Sequence, residues 1–217
     1  MIAQLPPGLK NLLIIMALVS LAQVALPKTG FDVEMLYLFY PDSEHFRFWQ
    51  LFTHIFCHGG IGHLLFNGLA LFSFGAIVEY RLGTSRFLQL FFAAAVGAVL
   101  VHFLQMGYTL FTHTGTLFPN HVAGFEAVPY GPMIGASGAV YGVMVAFAYL
   151  YPNESLVFLF IPYPIKAKYL VPIMVGLDIL LGLGSFSGDN VAHFAHIGGA
   201  LTGFLLIFSW RKMGKIY

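Results

Sequence analysis

Six long apolar stretches, separated by shorter polar segments, run along the chain. Each contains few charged residues and approaches the roughly 20 residues that an α-helix needs to cross a bilayer. They lie at about residues 9–27, 63–80, 86–106, 134–151, 169–188 and 190–210. Because the apolar residues run continuously instead of alternating, the pattern predicts membrane-spanning helices and not the strands of a barrel. The predicted fold is all-α, a polytopic bundle of six transmembrane helices in a single domain over residues 1–217.

The composition supports a membrane protein. Apolar residues make up 59% of the chain and charged residues 9%, whereas a soluble domain carries roughly 25% charged residues. A soluble globule of this size cannot cover its surface with so few charges. The net charge of +1 and the absence of a basic stripe give no indication of a nucleic-acid partner. Cys57 is the only cysteine, which excludes an intrachain disulfide and a multi-cysteine metal site.

The first apolar stretch shares one feature with secretory signal peptides, since Ser20-Leu21-Ala22 resembles a cleavage site. Its length and its weakly charged start favour a membrane anchor that is not cleaved. We therefore expect this stretch to remain as the first helix of the bundle.

The positive charges predict the orientation of the bundle, because cytoplasmic loops carry an excess of Lys and Arg. If the N-terminus is cytoplasmic, the basic residues at the inner ends of the helices are Lys10, Arg81, Arg86, Lys166, Lys168, Arg211, Lys212 and Lys215, and those in the outer loops are Lys28 and Arg47. Both termini of this multi-pass membrane protein are therefore predicted to be cytoplasmic. The connections 28–62 and 107–133 then lie outside, and the proline-rich segment 152–168 is predicted to be an interfacial connector on the inner side.

Three polar residues occupy the same predicted depth in three different helices. Asn67 lies 14 residues before the basic inner end of its helix, Ser137 lies 15 residues before the proline that ends its helix, and His196 lies 15 residues before an arginine. At a rise of 1.5 Å per residue, each lies about 21–23 Å above the cytoplasmic side. Polar groups inside membrane helices are costly and commonly functional. The sequence thus predicts a site in the outer half of the bilayer.

Ser137 and His196 have the chemistry of a nucleophile and its base. A serine hydroxyl becomes reactive when a neutral imidazole within hydrogen-bond reach removes its proton. The small neighbours in Gly135-Ala136-Ser137-Gly138 allow a substrate carbonyl and backbone N–H groups to come close. Gly199, Ala200 and Gly203 follow His196 on one flat helix face, and Gly138 and Gly142 offer a similar face after Ser137, so the two helices can pack closely. His63 and Asn67, four residues apart on one helix, can direct N–H donors at an oxyanion.

Other interpretations of the same residues stay open at this point. A Gly-x-Ser-Gly sequence in a membrane helix is commonly a packing motif, and a histidine beside glycines is commonly a satisfied interior group. A set of four residues at spacings of 4, 5 and 4 can instead bind a metal ion or line a transport path, namely His54, His58, His63 and Asn67. The absence of a His-Glu-x-x-His motif weakens the zinc-protease version of that alternative.

The motifs and their order resemble those of the rhomboid family of intramembrane serine proteases, in its minimal bacterial form. Gly135-Ala136-Ser137-Gly138 is similar to the family's Gly-x-Ser-x motif, and Ala195 to Gly203 is similar to its Ala-His-x-x-Gly-x-x-x-Gly signature. His63-x-x-x-Asn67 is similar to the His-rich start of the family's second helix, and Val78 to Gly83 resembles its inner cap. The resemblance implies one rhomboid membrane domain of six helices with cytoplasmic termini.

The resemblance also implies a role for each site residue. Ser137 would be the nucleophile and His196 the general base, in a dyad without a third acid. His63 and Asn67 would stabilise the oxyanion beside the Ser137 N–H group, and Tyr141 would stack on His196 and hold its ring. Three glycines would support the dyad, namely Gly135, Gly138 and Gly199. No metal ion or organic cofactor would be required.

Three residues need separate attention. His193 lies one turn from His196, and the Ala-His-x-x-Gly spacing selects His196 as the base. The family often has Trp-Arg in the first outer loop, where this chain has Trp49-Gln50, so a salt bridge of that arginine should be absent. Asp178 lies in the middle of the fifth stretch, where an ionisable group requires a buried partner or protonation. We expect Asp178 to make a structural hydrogen bond rather than to act in gating or catalysis.

The function implied by the resemblance is hydrolysis of a peptide bond in or next to a transmembrane helix of a membrane-protein substrate. The partners are then the lipid bilayer and transmembrane proteins, and water reaches Ser137 from the extracytoplasmic side. A helix hides its carbonyl groups in its own hydrogen bonds, so we expect helix-weakening residues near the cleaved bond. The alternatives are a catalytically inactive rhomboid-like binding protein and a histidine-lined metal transporter.

Overall fold

The computed structural model of the chain describes residues 5–121, 131–158, 161–184 and 191–216. These residues are mostly helical and include one two-stranded hairpin. The helices are α1 (Pro7–Ala25), α2 (Gln50–Thr53), α3 (Ile61–Ala70), α4 (Ala76–Leu82), α5 (Thr84–Thr114), α6 (Ser137–Leu150), α7 (Ala167–Gly184) and α8 (His193–Lys212). A π-helical turn at Leu71–Gly75 joins α3 to α4. Short 3₁₀ turns occupy Leu26–Thr29, Val33–Leu36, His54–Phe56 and Pro119–His121.

Five helical segments are long and apolar enough to cross a membrane, so the chain is a multi-pass membrane protein. They are Pro7–Thr29, Ile61–Leu82, Thr84–Thr114, Ala167–Gly184 and His193–Lys212. Each corresponds to one predicted stretch. The third is longer than expected, because α5 continues past residue 106 to Thr114, where Gly115 adopts a left-handed conformation and ends it. Residues 185–188 of the fifth predicted stretch lie outside the described residues.

The fourth predicted stretch corresponds to α6, which is shorter than each of these five segments. α6 has 14 residues, about 21 Å at the usual helical rise, against a hydrocarbon core of roughly 30 Å. It begins at Ser137 and not near residue 134, because Gly135 has a φ of +114° and cannot belong to the helix. Ser137 is therefore the first residue of a helix that starts within the bundle.

A buried carboxylate ties α1 to the second helical segment. Glu79 of α4 accepts hydrogen bonds from the N–H groups of Gly8 (2.8 Å) and Leu9 (2.6 Å) at the start of α1. It also accepts one from the hydroxyl of Thr84 at 2.7 Å. The first N–H groups of a helix have no partner in their own helix, so Glu79 caps α1 from a neighbouring element.

The centre of the bundle is a close packing of α5, α6 and α8 through small residues. A Cβ atom at Gly138 would collide with the Cβ of Ala98 on α5, and one at Gly199 would collide with the carbonyl oxygen of Gly138. Further along, a Cβ at Gly203 would lie 2.6 Å from the Cα of Gly142. The predicted contact between the glycine faces of α6 and α8 is thus present, and α5 packs into the same seam.

The predicted interfacial connector 152–168 contains a β-hairpin. Strand β1 (Ser155–Phe158) pairs antiparallel with β2 (Ile161–Lys166), and Ser155 lies opposite Lys166. This hairpin departs from the all-α prediction. Pro162 and Pro164 disfavour a strand because they lack an N–H donor, but an edge of a two-stranded ribbon tolerates this loss.

Candidate active site

Ser137 and His196 meet at the start of α6. The Oγ atom of Ser137 lies 2.8 Å from Nε2 of His196, which belongs to the first turn of α8. His196 is buried, whereas Ser137 is only partly buried. Because Ser137 opens its helix, its N–H group has no carbonyl partner in that helix and is oriented towards the helix end. The arrangement combines a hydroxyl, a base and a backbone donor at one point.

The glycine seam accounts for this proximity. A Cβ at Gly138 would lie 3.2 Å from the carbonyl oxygen of Ala195, and one at Gly142 would lie 3.0 Å from that of Gly199. Without side chains at these positions, the backbones of α6 and α8 approach closely enough for a short side chain such as serine to reach the histidine ring. The packing of the two helices thus sets the Ser137–His196 distance.

Tyr141 lies one turn after Ser137 and covers one face of the His196 ring. The two rings are stacked, with 4.4 Å between their centroids and 8° between their planes. The hydroxyl of Tyr141 donates a hydrogen bond to Asp178 of α7. Tyr141 therefore contacts both the histidine and a carboxylate on a third helix.

Asp178 lies on the side of His196 that faces away from Ser137. Its Oδ1 atom is 3.0 Å from Nδ1 of His196 and 2.5 Å from Nδ1 of His193. The carboxylate is 5% exposed. The expectation that Asp178 has a buried partner is thus met by two histidines and a tyrosine. The resemblance implied a dyad without a third acid, whereas here a carboxylate contacts the proposed base. The mid-helix position of Asp178 was the sequence signal for this contact, but its partner was not predicted.

His63 and Asn67 of α3 lie beside the segment that precedes Ser137. A Cβ at Gly135 would lie 2.7 Å from Nε2 of His63 and 3.8 Å from Nδ2 of Asn67. Nδ1 of His63 accepts a hydrogen bond from the N–H of Gly59 at 3.3 Å. A neutral imidazole has one donor and one acceptor nitrogen, so Nε2 carries the proton and presents it towards Gly135. The Asn67 side chain also donates to the carbonyl of His63 at 3.1 Å.

The first outer loop holds the Gly135 backbone in place. Gly135 donates its N–H to the carbonyl oxygen of His54 at 2.9 Å, and Leu38 and Met133 exchange two backbone hydrogen bonds. Nδ1 of His54 donates in turn to the carbonyl of Gln50 at 2.6 Å. Burial lowers the pKa of His54 to about 4, so this ring stays neutral near pH 7.

Gln50 takes the position at which the family often has an arginine. Its side chain is fully buried and binds four backbone groups of the loop. It accepts from the N–H of Arg47 at 3.0 Å and donates to the carbonyl of His45 at 2.8 Å. It also contacts the N–H of Phe39 and the carbonyl of Met35, both at 3.4 Å. Hydrogen bonds of a neutral amide therefore hold this loop without the arginine's salt bridge.

Among the described residues, the histidines proposed as alternative metal ligands do not form a group of three ligands, although the ring centroids of His58 and His63 lie 5.2 Å apart. Nδ1 of His54 is engaged by Gln50, and Nδ1 of His58 lies 3.2 Å from both the Ser20 hydroxyl and a backbone carbonyl. In the part of the chain that the structure describes, one group of three His, Cys, Asp or Glu residues places its ligand atoms within 4.8 Å of one another, and it consists of Asp178, His193 and His196.

His113, near the end of α5, does not add to the site. His113 donates from Nδ1 to the carbonyl of Thr109 at 2.7 Å, within its own helix, and it does not line the cavity beside Ser137. The side chain of His121 and residues 122–130 lie outside the described residues.

A cavity of about 1190 Å³ lies against Ser137 and His196. It is lined by the segment that contains Gly131 and Gly135, by α3 through Phe66, and by α7 through Met174. Its walls are mainly apolar side chains, and the polar groups among them include His63, Asn67, Ser137 and His196. A pocket of this kind suits a largely apolar ligand that must be oriented by a few hydrogen bonds.

Comparison with known proteins gives a consistent result. A family model described as the Rhomboid domain matches residues 45–212. The chain is 35% identical over 158 residues to Rhomboid protease GluP of Bacillus subtilis, which covers 73% of this chain and 25% of that protein. It is 30% identical over 170 residues to RHOMBOID-like protein 12, mitochondrial, of Arabidopsis thaliana, and the match covers 78% of this chain and 47% of that protein. It is 27% identical over 201 residues to Rhomboid protease GlpG of Salmonella choleraesuis, and the match covers 90% of this chain and 61% of that protein.

The matched region includes every helix from α2 to α8, and with them Ser137 and His196. The chain spans between 25% and 61% of the lengths of these three relatives. The family model covers well over half of the chain, and the chain therefore belongs to the rhomboid family.

Proposed function

We propose that this protein is an intramembrane serine endopeptidase that hydrolyses peptide bonds in or next to transmembrane helices of membrane-protein substrates. The observation that carries the proposal is the 2.8 Å contact between Ser137 Oγ and His196 Nε2 inside a bundle of membrane helices. Two of the relatives bear names that describe them as rhomboid proteases, which supports the same class of reaction.

In the proposed reaction, Ser137 Oγ attacks the substrate carbonyl carbon while its proton moves to Nε2 of His196. The tetrahedral intermediate then collapses, the C–N bond breaks, and His196 returns the proton to the leaving amine. A water molecule, with His196 again acting as base, hydrolyses the acyl-enzyme and restores Ser137. No step requires a metal ion or an organic cofactor, so activity is expected to persist in the presence of EDTA.

The oxyanion of the intermediate is proposed to lie between Ser137 and the α3 side chains. The donors are the N–H of Ser137, Nε2–H of His63 and Nδ2 of Asn67. Gly135 supports this assignment, because a side chain at that position would occupy the space next to Nε2 of His63. Donors held in place before the reaction stabilise charge that develops only in the transition state.

The substrate is proposed to enter between α3 and α7. The cavity reaches from Ser137 to both helices, and large apolar side chains of each are exposed, among them Phe66, Leu177 and Leu180. A transmembrane segment can therefore approach through lipid without exposing its backbone to water. Near Ser137 it must unwind to offer a carbonyl group, which favours Gly, Pro and other helix-weakening residues at the cleaved bond.

The proposal includes the topology derived from charge. Six helices cross or enter the membrane, with α6 as the short one, and both termini are cytoplasmic in the inner cell membrane. The site then opens to the extracytoplasmic side, from which water reaches Ser137. Residues 1–217 form a single rhomboid domain under this proposal.

Labelling with a fluorophosphonate tests the proposal, because this reagent reacts with activated serine hydroxyls. The purified chain should be labelled, and Ser137→Ala should not. Ser20→Ala is a matched control, since Ser20 is another half-buried serine whose hydroxyl lies 3.2 Å from a histidine nitrogen, that of His58. Ser20→Ala should label like the unaltered chain. Equal labelling of Ser137→Ala would overturn the assignment.

A further inference from the structure

We infer that Asp178 is a positioning residue, which holds the proposed base His196 in its reactive form through a hydrogen bond to the ring nitrogen that does not face Ser137. This inference rests on the proposed function. It concerns a carboxylate on α7 whose Oδ1 atom lies 3.0 Å from Nδ1 of His196, while Ser137 lies at the other ring nitrogen.

The contact selects one tautomer of His196. An ionised carboxylate can only accept hydrogen bonds, so Nδ1 of His196 must carry a proton to make this contact. In the neutral ring, Nε2 is then the acceptor, which is the state needed to take the proton from Ser137. After that transfer the ring is cationic, and a carboxylate in contact with Nδ1–H stabilises the charge.

The carboxylate is itself fixed by donors from two other helices. His193 and His196 of α8 each place Nδ1 within 3.0 Å of Oδ1, and Tyr141 of α6 donates its hydroxyl. Asp178 is 5% exposed, and a buried carboxylate requires donors of this kind. The same Tyr141 is stacked on His196, so the base is held at one ring face and at Nδ1. A carboxylate with only a structural role needs a hydrogen-bond donor but no contact with the base. Asp178 instead binds both His196 and the tyrosine that is stacked on His196.

If Asp178 had a purely structural role, its replacement would lower the melting temperature and leave kcat nearly unchanged. Another buried carboxylate, Glu79, serves as a matched control for this outcome. Glu79 is a second buried carboxylate, 2% exposed, which caps the start of α1 and bonds to Thr84. It makes no contact with Ser137 or His196. Glu79→Gln should lower the melting temperature and leave kcat within about twofold, because it affects the fold and not the base.

The test measures kcat and KM for a transmembrane reporter, together with the fluorophosphonate labelling rate, for the full chain in detergent. Asp178→Asn should lower kcat by up to about 10⁴-fold, the scale seen when the acid of a soluble serine protease triad is replaced. KM should change little, and labelling should slow in parallel. Asp178→Glu should recover part of the activity, because it restores a carboxylate. A kcat within a few-fold of the unaltered chain in folded Asp178→Asn would overturn the inference.

A measurement on the unaltered chain tests the inference even if Asp178→Asn folds poorly. The NMR spectrum of protein labelled with ¹⁵N-histidine should show a proton on Nδ1 of His196 in a strong hydrogen bond. The signal is assigned to His196 because it is missing from the spectrum of His196→Ala. A His196 protonated on Nε2 alone would contradict the inference. If the proposed function itself fails, labelling is independent of Ser137; if only the role of Asp178 fails, labelling still requires Ser137 but is insensitive to Asp178→Asn.

Discussion

The ring of Tyr141 lies parallel to the imidazole of His196, 4.4 Å away, and its hydroxyl reaches Asp178. The two contacts can be separated by substitution. Tyr141→Phe keeps the stacked ring and loses the hydrogen bond, whereas Tyr141→Ala loses both. A stacked aromatic pair contributes about 0.5–1.5 kcal/mol, so the stack accounts for up to about tenfold in kcat. Steady-state kinetics should rank the variants in that order; equal loss in both would show that the hydroxyl, and not the stack, holds the base.

The oxyanion assignment predicts an effect on kcat. Asn67→Ala removes a donor to charge that develops in the transition state, and such a loss costs on the order of 10²–10³-fold in a soluble serine protease. A smaller loss is expected here, because His63 and the Ser137 N–H share the charge. Asn67→Ala should still react with a fluorophosphonate, and Asn67→Asp should be slower, since a carboxylate repels the oxyanion. If Asn67→Ala changes only KM, Asn67 belongs to substrate binding or helix packing.

The close packing of α6 and α8 predicts a large effect of a single methyl group. Gly199→Ala places a Cβ on the carbonyl oxygen of Gly138, so the helices must separate, at a cost of about 1–3 kcal/mol. Ser137 and His196 should then move apart, and both the melting temperature and kcat should fall. Gly176→Ala on α7 is the control, because nothing lies within 4 Å of a Cβ there. Gly176→Ala should be neutral or slightly stabilising. Equal effects of the two substitutions would contradict the claim that close packing of α6 and α8 sets the Ser137–His196 distance.

Two buried histidines in the loop before α3 predict that the folded chain loses stability in mild acid. Burial lowers the pKa values of His54 and His58 to about 4 in the folded chain, whereas an exposed histidine titrates near 6.5. Between these values the unfolded chain binds more protons than the folded one, so stability falls as the pH decreases from about 6.5 towards 4. The melting temperature should therefore drop between pH 7 and pH 5. His54→Asn should reduce this dependence, and His113→Ala, at an exposed position, should not. An unchanged melting temperature across this range would contradict the buried, neutral state.

The sequence predicted membrane helices and the close approach of the glycine faces beside Ser137 and His196, because hydropathy and small-residue motifs are local signals. It did not predict the partners of Asp178, which come from α6 and α8 and depend on how α7 packs against them. The start of α6 was placed too early, since an apolar run does not reveal the positive φ of Gly135. The hairpin was missed because Pro162 and Pro164 disfavour strands in general. The role of Gln50 depends on the fold of the loop, where one amide reaches several backbone groups.

Cleavage of a transmembrane reporter by purified variants tests the central claim most directly. Ser137→Ala and His196→Ala should each abolish cleavage without a loss of folding, and the double variant should be no worse, because the two side chains act as one unit. His193→Ala should keep appreciable activity, since it leaves the Ser137–His196 contact in place. Residual proteolysis by Ser137→Ala, or an active His196→Ala beside an inactive His193→Ala, would contradict the account.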